Sequence, residues 1–547
     1  MNLESITEVK AHILKNMSEA VTKFLPDFQE DTGRFLSELE GPPAPGAKPE
    51  DIGWFIVNQD IIYPLALLYT TPGTRFHGDA AILNMALRGG DAIRDFQYPD
   101  GKVEFLKVDG SRWGPTYMGW TNYAWLEAYA ILRDQMGEER RKRWEKGLIL
   151  AHDGQAQDIG NLHVHNIPCF KAMSCYRAGE LFSRKDWQEA ATALIQAAVA
   201  AQAPGGYWAE HGGPSTLYNY VYVHGLGLYY KFTGDEAVLP ALEAAAEFHQ
   251  TFVYPGGMPV ETVDGRVKFG GRMMHQGWVG FSATAKGRRL VRHMAGQMDA
   301  ERDTRNFQGG AIASAAQHLI DGDEEPINLD SASFHHRYRD WSVVCRDQSW
   351  FACLSAFVCP PVQSRWGQDR QAYLSLWHDD VGLLLGGGNS KDQADWSSFI
   401  ANGRLMPDKG ELLPDGSGIA LSFGNIRCLL KLRFEEKKVL IEATAEGGPA
   451  LQQFIVQAKS GATIRSSAGN QLTLGDGPVI WGHVEMGDWI EIKGIRIQVP
   501  QGAEFRWPTA AFNPYAADGA ATFGSEAGIL AVRLDNQSVL WQVEKSA

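Results

Sequence analysis

The chain changes its hydrophobic periodicity once, and this change limits what it can fold into. Up to about residue 320, apolar residues recur at spacings of three and four, as in TNYAWLEAYAILRDQM and DWQEAATALIQAAVAAQ. Such spacing predicts amphipathic helices. After DGDEEPINLDS, short alternating runs such as VGLLLGGGN and IRCLLKLRFEEKKVLIEATA predict β-strands bounded by Gly, Asp and Pro.

The length of the chain, 547 residues, is too great for one ordinary hydrophobic core. The helical segments show no fixed sequence repeat, and their number favours an (α/α) toroid over a solenoid. No long amphipathic helix interrupts the second part, which favours an antiparallel β-sandwich. We therefore predict a mixed α + β protein, with a helical toroid over residues 1–325 and a β-sandwich over residues 326–547.

Charge and composition exclude several classes of protein. The formal net charge is −14, whereas nucleic-acid binding needs a basic field, so no nucleic-acid partner is expected. An anionic substrate would need a local cationic cleft in this negative chain. No run approaches transmembrane length and the N-terminus lacks an apolar signal core, so we expect no membrane partner and a cytoplasmic location. The six cysteines form no CxxC pair, which excludes a zinc ribbon.

Three Gly-rich breaks between the helical segments concentrate histidine, asparagine, tyrosine and arginine. They are QDIGNLHVHNIPCF, WAEHGGPSTLYNYVYVHG and VETVDGRVKFGGRMMHQGW. Loops on one rim of a toroid can converge on a central cleft, so we expect these three loops to meet. The candidate residues in them are Asn161, His163, His165, His211, Tyr218, Tyr220, Tyr222, Arg266 and Arg272.

These residue types suit β-elimination of a uronic-acid glycoside. The proton on C5 of the sugar is hardly acidic while the neighbouring carboxylate is charged. A neutral amide and an imidazole can hydrogen-bond that carboxylate and stabilise the enolate-like species. A tyrosine can take the proton and protonate the departing oxygen, provided that a nearby arginine favours the phenolate.

The order and spacing of three residues resemble polysaccharide lyase family 8, which contains the chondroitin AC, hyaluronate and xanthan lyases. Asn161, His211 and Tyr220 are separated by 50 and 9 positions (161 to 211, 211 to 220). The runs IGNLHVHNIPCFKAMSCYRAGELF, GGYWAEHGGPSTLYNYVYVHG and SASFHHRYRDWSVVCRDQSWFACLSAF resemble family segments around its asparagine, around its histidine and tyrosine, and at the start of its sandwich. The resemblance extends over roughly residues 50 to 420.

This resemblance implies a toroid followed by a β-sandwich and a lyase reaction that uses no metal or cofactor. It implies that Asn161 neutralises the substrate carboxylate with help from His211, and that Tyr220 is the base and acid. Arg266 is the match for the family's arginine. The family's second arginine is replaced by Gly270, and its glutamate has only Gln368 and Asp369 as counterparts.

Four further residues are predicted to bind the substrate, which we expect to be an acidic glycan or oligosaccharide. Trp113 and Trp120 are candidate sugar platforms, although packed helices use the same rings. Tyr218 is a rival to Tyr220, and Arg272 is a second candidate cation.

Other interpretations of the same residues stay open. Asn161 after a glycine is also typical of a helix N-cap. The HxH pair His163 and His165 suits a metal ion, although no acidic cluster accompanies it. A glycoside hydrolase would use two carboxylates, for which the candidates are Asp153, Asp158 and Glu210. A uronyl C5-epimerase would use the same proton abstraction without bond cleavage, and a glycan-binding module would need no chemistry.

Overall fold

The structure is a computed structural model of the chain. It describes residues 3–35, 59–106, 112–299, 308–475, 477–514, 518–520 and 526–546. The chain divides into two compact units. The helical unit contains residues 1–208, 218–250 and 271–326, and the β unit contains residues 209–217, 251–270 and 327–547. Two segments from the helix-rich part of the sequence thus belong to the β unit.

Up to residue 318, the described part of the chain contains twelve α-helices. They are α1 (Ile6–Phe24), α2 (Ile62–Thr70), α3 (Ala80–Phe96), α4 (Gly119–Leu132), α5 (Glu138–Ile159), α6 (Asn166–Phe182), α7 (Lys185–Ala200), α8 (Asn219–Thr233), α9 (Leu239–Thr251), α10 (Trp278–Ser282), α11 (Ala285–Gly296) and α12 (Gly309–His318).

Every second helix belongs to a closed inner ring. Helices α2, α4, α6, α8, α10 and α12 each pack against the next, and α12 packs back against α2. About three quarters of the residues of α4 and α8 are buried, as expected for helices surrounded by other helices. In contrast, α11 buries only one face, on which Leu290, Val291 and Met294 lie. This ring is the predicted (α/α) toroid.

Close approach of two inner helices depends on glycine. A Cβ atom added at Gly227 of α8 would lie 2.1 Å from the Cα of Gly280 in α10. A Cβ added at Gly280 would lie 2.3 Å from the backbone oxygen of Val223. Only residues without side chains permit this backbone contact, so the sequence GLGLYY of α8 places its glycine at the crossing.

The strands outside the two large sheets form three short hairpins. These are β1 (Phe28–Gln29) with β2 (Arg34–Phe35), β3 (Val103–Leu106) with β4 (Arg112–Thr116), and β5 (Ala209–Glu210) with β6 (Gly213–Pro214).

The β unit is built from two antiparallel sheets. The ten-stranded sheet has the order β20-β23-β24-β17-β11-β10-β9-β8-β7, with β12 paired to β17. Its strands are β7 (Ser333–Tyr338), β8 (Ser342–Asp347), β9 (Trp350–Ser355), β10 (Leu374–His378), β11 (Gly382–Leu385), β12 (Phe399–Ala401), β17 (Pro449–Val456), β20 (Val479–Trp481), β23 (Glu504–Ala510) and β24 (Glu526–Asp535).

The nine-stranded sheet has the order β13-β14-β15-β16-β25-β22-β21-β18-β19. Its strands are β13 (Lys409–Leu412), β14 (Gly418–Phe423), β15 (Ile426–Glu435), β16 (Lys438–Glu446), β18 (Thr463–Ser466), β19 (Gln471–Thr473), β21 (Trp489–Ile492), β22 (Ile495–Gln498) and β25 (Ser538–Lys545). One short helix, α13 (His483–Met486), lies among them in the sequence.

One hydrophobic core joins the two sheets. It contains Leu354 and Phe454 from the first sheet and Ile441 and Trp541 from the second. The rings of Phe454 and Trp541 lie 5.3 Å apart, and the indole N–H of Trp541 donates to Gln452 Oε1 at 2.8 Å. Side chains of two sheets that interdigitate in this way define a β-sandwich.

The predicted fold class is confirmed, since a helical ring is followed by antiparallel sheets. No helix within the described ranges is both long enough and apolar enough to cross a lipid bilayer.

Candidate active site

Asn161 lies in an exposed turn of the helical unit. Helix α5 ends at Ile159, and the side-chain oxygen of Asn161 accepts a hydrogen bond from the backbone N–H of His163 at 2.9 Å. This is an Asx turn, which asparagine favours. The N-cap of α6 is His165, so Asn161 does not cap that helix. The turn leaves the amide exposed, as a role in substrate binding requires.

The two histidines of the HxH pair stack on each other beside Asn161 in the sequence. The rings of His163 and His165 lie 6.3 Å apart with an angle of 10° between their planes. Within the part of the chain that the structure describes, no group of three or more His, Cys, Asp or Glu side chains is arranged to hold a metal ion.

The aromatic residues before and at the start of α4 have different environments. Trp120 is half-buried, and its ring stacks on Phe170 of α6 at 5.2 Å. One surface of the indole is therefore used for helix packing. The side chain of Trp113, the other predicted platform, lies outside the described residues. Tyr117 packs at Gly154 of α5, where an added Cβ would lie 1.9 Å from its ring.

The predicted base Tyr220 lies in the core of the helical unit. Its side chain has 0% exposure, and its hydroxyl donates to the Met294 sulfur at 3.7 Å. The rings of His249 and Phe281 pack against it at 4.4 and 5.6 Å. Burial also raises the pKa of the Tyr220 phenol, so the phenolate that a base requires is disfavoured.

The neighbouring tyrosines divide between core and surface. Tyr222 is buried and stacks on Trp208 at 4.9 Å. Tyr218 is the N-cap residue of α8 and is half-buried. Of the three tyrosines in this run, Tyr218 is the one whose side chain is partly exposed to solvent. The spacing from His211 favours Tyr220. Spacing, however, carries no information about which tyrosine faces the core of the helical unit.

His211 lies at the tip of a hairpin in the β unit. It follows β5 and adopts a left-handed backbone conformation with φ of 60°. Non-glycine residues with positive φ are uncommon and concentrate at turns and functional sites. The hairpin packs closely on the segment after β9, since an added Cβ at Gly367 would lie 3.0 Å from the Cβ of His211. His211 itself is exposed.

Arg266 reaches the same segment. Its Nη1 donates to the backbone oxygen of Trp366 at 2.6 Å, and its guanidinium carbon lies 5.5 Å from the centre of the Trp366 ring. The guanidinium of Arg365 also lies 5.5 Å from that centre. Trp366 and Gly367 are adjacent, so the structure brings His211 and Arg266 to one short stretch of chain.

We name the group of His211, Arg266, Arg365 and Trp366 the Trp366 cluster. Its members combine an exposed imidazole, a half-buried indole and two guanidinium groups. An indole face binds the apolar face of a sugar ring, and a guanidinium binds a carboxylate. The cluster is therefore chemically suited to an acidic pyranose.

Asp264 holds the two segments that carry this cluster. One carboxylate oxygen accepts from Ser215 Oγ at 2.9 Å, Thr216 Oγ1 at 3.1 Å and the backbone N–H of Leu217 at 3.0 Å. The other oxygen accepts from the backbone N–H groups of Arg266 at 2.6 Å and Val267 at 2.9 Å. One buried carboxylate thus binds the segment that follows His211 to the segment that contains Arg266.

Two buried side chains of the sandwich support the same segment from the other side. Arg370 donates to the backbone oxygens of Thr262, Val263 and Asp264 at 3.4, 2.6 and 3.1 Å. Asn389 Nδ2 donates to the Asp264 backbone oxygen at 3.1 Å. The backbone around Arg266 is therefore fixed by the β unit.

Glu261 lies in the same segment and is fully buried. It accepts from the Tyr254 hydroxyl at 2.7 Å and from the backbone N–H of Gly387 at 2.9 Å. Burial raises the pKa of its carboxyl to about 7, although both hydrogen bonds oppose this shift.

The counterparts proposed for the missing glutamate are structural. Asp369 is 2% exposed and accepts from the backbone N–H of Val362 at 2.9 Å and from Lys391 Nζ at 3.2 Å. Gln368 is buried and its backbone N–H donates to Gly265. Arg272 is half-buried and belongs to the helical unit, whereas Arg266 belongs to the β unit.

Sequence reasoning did not identify Trp366, Arg365 or Asp264. The run SRWGQDR contains an Arg-Trp pair, which is a signal for a cationic sugar platform. The sequence VDGR reads as an ordinary turn, and nothing in it indicates that the aspartate accepts hydrogen bonds from residues almost fifty positions earlier.

The fold is similar to that of a xanthan lyase from Paenibacillus, with a TM-score of 0.55 and 11% identity. The match covers 100% of this chain and 58% of that one, so the chain spans less than two thirds of the xanthan lyase. A chondroitin AC lyase from Streptomyces coelicolor A3 matches with a TM-score of 0.45 and 15% identity, over 98% of this chain and 79% of that one. A TM-score at this level is too low for a conclusion about the fold. No family profile and no curated protein matches by sequence.

At this identity the likeness shows the fold alone. The chain shares its fold with that xanthan lyase, and the likeness expected from the sequence is confirmed for the fold.

Proposed function

We propose that this protein is a lyase that cleaves a uronate-containing glycan by β-elimination. The Trp366 cluster is the observation that carries the proposal. It combines a sugar-sized indole with two guanidinium groups and an exposed imidazole, in a chain whose net charge is −14. A site built for neutral sugars would not need two cations at one aromatic ring. The likeness in fold to a xanthan lyase supports the same class of reaction.

In this proposal the Trp366 ring stacks on the sugar, and Arg266 pairs with the uronate carboxylate. The positive charge stabilises the dianionic enolate that forms when the C5 proton leaves, because negative charge then accumulates on the carboxylate. His211 donates a hydrogen bond to the same carboxylate.

The base that we assign is Tyr218, in place of Tyr220. Tyr218 is half-buried whereas Tyr220 is fully buried, so only the first can exchange a proton with a bound sugar. As a phenolate, Tyr218 takes the C5 proton. The C4–O4 bond then breaks, and the phenol returns a proton to the departing oxygen, which leaves a C4–C5 double bond. The role of Asn161, whose side chain lies in an exposed turn of the helical unit, stays a prediction from the sequence.

Hydrolysis is less well supported by the carboxylates of the helical unit. Asp153 accepts from Arg184 Nη2 at 2.8 Å and from the Trp187 indole at 3.0 Å. Asp158 pairs with Lys171 at 2.8 Å. Both of these candidate carboxylates pair with basic side chains of the helical unit, whereas hydrolysis needs two carboxylates that face one glycosidic bond.

The decisive experiment incubates the full chain with a panel of uronate-containing oligosaccharides and weighs the products. In elimination, the product masses sum to the substrate mass and the unsaturated uronate absorbs ultraviolet light. Products heavier by one water would assign a hydrolase. Solvent deuterium entering C5 without chain shortening would assign an epimerase.

A further inference from the structure

A cleft in the helical unit collects basic side chains at the opposite end of α5 from Asn161. It has a volume of about 530 Å³ and is lined by Arg94, Asp95, Gln97, Lys142, Arg143 and Lys146. We name it the α3–α5 cleft. Four cations face one carboxylate there, in a chain whose net charge is −14.

The cleft lies far along the helix from the turn that carries Asn161. Lys146 is thirteen residues before the end of α5 at Ile159, which corresponds to about 20 Å of helix. A small ligand bound there would not touch Asn161. The cleft is therefore a separate feature of the surface.

Tight packing of two helices makes the cleft rigid. An added Cβ at Gly90 of α3 would lie 2.1 Å from the Trp144 ring of α5. The Trp144 indole donates to Asp91 Oδ1 at 2.8 Å, and Arg140 Nε donates to Asp91 Oδ2 at 3.0 Å. Asp91 also pairs with Arg143 of the cleft, whose Nη1 lies 3.4 Å from Asp91 Oδ1, so it compensates this one of the four lining cations.

The floor of the cleft is built by Gln97. Its side-chain amide donates to the backbone oxygens of Gly101 at 3.1 Å and Gly147 at 2.9 Å, and the residue is 9% exposed. Gly147 lets Arg94 lie directly over α5, since an added Cβ there would be 2.6 Å from Arg94 Cδ. The backbone around the cleft is therefore fixed before any ligand binds.

The cations of the cleft are only partly compensated. Arg143 pairs with Asp95, and Lys142 pairs with Glu138 at 2.6 Å, with both of the latter side chains about two-thirds exposed. Among the residues that the structure describes, Arg94 and Lys146 form no ion pair and donate no hydrogen bond. Unpaired cations that lie close together repel each other, and this repulsion lowers the stability of the folded protein.

We infer that the α3–α5 cleft binds an acidic segment of a glycan chain. Lys142 and Lys146 are one helical turn apart on α5, and Arg94 faces them from α3. This arrangement presents a row of charges, which suits a polymer with repeated carboxylate or sulfate groups better than a single small anion. The inference rests on the proposed function only for the identity of the polymer, because the cations of the cleft would bind an acidic glycan even if the protein did not cleave it.

The test is calorimetric titration of the full chain with a short, size-defined sulfated uronate oligosaccharide. The background is Tyr218→Phe, so that the probe is not consumed. The double variant Arg94→Gln/Lys146→Gln removes the two uncompensated charges. The matched control, Arg433→Gln/Lys437→Gln, removes one exposed arginine and one exposed lysine from the β unit.

We expect two binding events in the background protein and in the control, and one in the cleft variant. The affinity of the cleft event should fall by at least about tenfold in the cleft variant, which takes it out of the measured range, and in the background protein this event should be the more salt-dependent of the two. If the proposed function fails, the background protein shows one event and the cleft variant none. A cleft variant that binds the probe like the control overturns the inference. Inorganic sulfate that saturates the cleft as tightly as the oligosaccharide also overturns it, in favour of a single-anion site.

Turnover of a disaccharide-sized substrate provides a second check of folding. The turnover of this short substrate should be unchanged in the cleft variant, because Arg94 and Lys146 belong neither to the Trp366 cluster nor to the proposed base Tyr218. The same variant should lose activity on long chains relative to short ones.

Discussion

The Asp264 carboxylate accepts a hydrogen bond from the Ser215 hydroxyl at 2.9 Å, although the two residues are 49 positions apart in the sequence. The same carboxylate accepts from the backbone N–H of Arg266. Through this residue the hairpin of His211 and the segment of Arg266 have a common anchor.

Replacement Asp264→Asn should therefore disturb both segments together. An amide offers only one acceptor oxygen, and its NH₂ group would face N–H and O–H donors. We expect a loss of about 3 kcal/mol in the free energy of unfolding, measured by denaturant titration. Asp415→Asn is the matched control, because Asp415 also accepts from a nearby serine but is exposed. Equal stability of the two variants would contradict the anchoring role.

Glu261 should give the protein a measurable dependence of stability on pH. Its pKa is raised by burial to about 7 in the folded state, above the ordinary value of an unfolded glutamate. The folded protein then binds the proton more tightly, so stability falls as the pH rises from about 4.5 to about 7. The loss should approach about 3 kcal/mol.

Glu261→Gln should remove this contribution, which thermal unfolding at several pH values would show. Glu436→Gln, at an exposed turn, serves as the control and should follow the wild type. A variant Glu261→Gln that loses stability over the same pH range as the wild type would assign the effect to another group.

The two tyrosines of α8 provide a direct comparison. Tyr218→Phe should lower kcat by at least about a hundredfold, because it removes the proposed base. Tyr220→Phe should leave kcat within about twofold and cost about 0.5–1 kcal/mol of stability, since only a bond to the Met294 sulfur is lost. Rates measured by ultraviolet absorbance would separate the two. The reverse pattern would return the catalytic role to Tyr220.

Replacement of the platform should act on substrate binding. Trp366→Ala removes a ring that two guanidinium groups contact, and we expect KM to rise about tenfold. Trp489→Ala is the control, because Trp489 also lies beneath an arginine, Arg496, at 4.2 Å. Unchanged KM in Trp366→Ala, with Trp489→Ala also unchanged, would exclude the stacking role.

Hydrophobic periodicity predicted the fold because buried positions recur at a regular spacing along each helix and strand. The alternation in IRCLLKLRFEEKKVLIEATA became β15 and β16, whose buried residues face the sandwich core. The direction of one particular side chain on a helix leaves no recurring signal of this kind in the sequence. Tyr218 and Tyr220 are two residues apart on α8, and which of them faces inward depends on the partners His249 and Phe281, which are distant in sequence.

The same limit explains why the anchor of the site was missed. Asp264 and Arg370 act through contacts that cross from one segment to another, and neither lies in a local motif. His211 and Arg266 were identified because their residue types suit the chemistry. The short stretch that both approach, Trp366 for Arg266 and Gly367 for His211, follows from the packing of the loops, which no local pattern encodes.

The chain passes between its two units five times, at residues 208/209, 217/218, 250/251, 270/271 and 326/327. A gene fragment ending at Pro326 would contain Asp264 but would lack Arg370 and Asn389, which donate hydrogen bonds to its backbone oxygen. The halves are thus not interchangeable modules. Recombination that exchanged only residues 327–547 would separate the sandwich from residues 209–217 and 251–270, which belong to the same unit. The two parts of the gene are therefore expected to be inherited together.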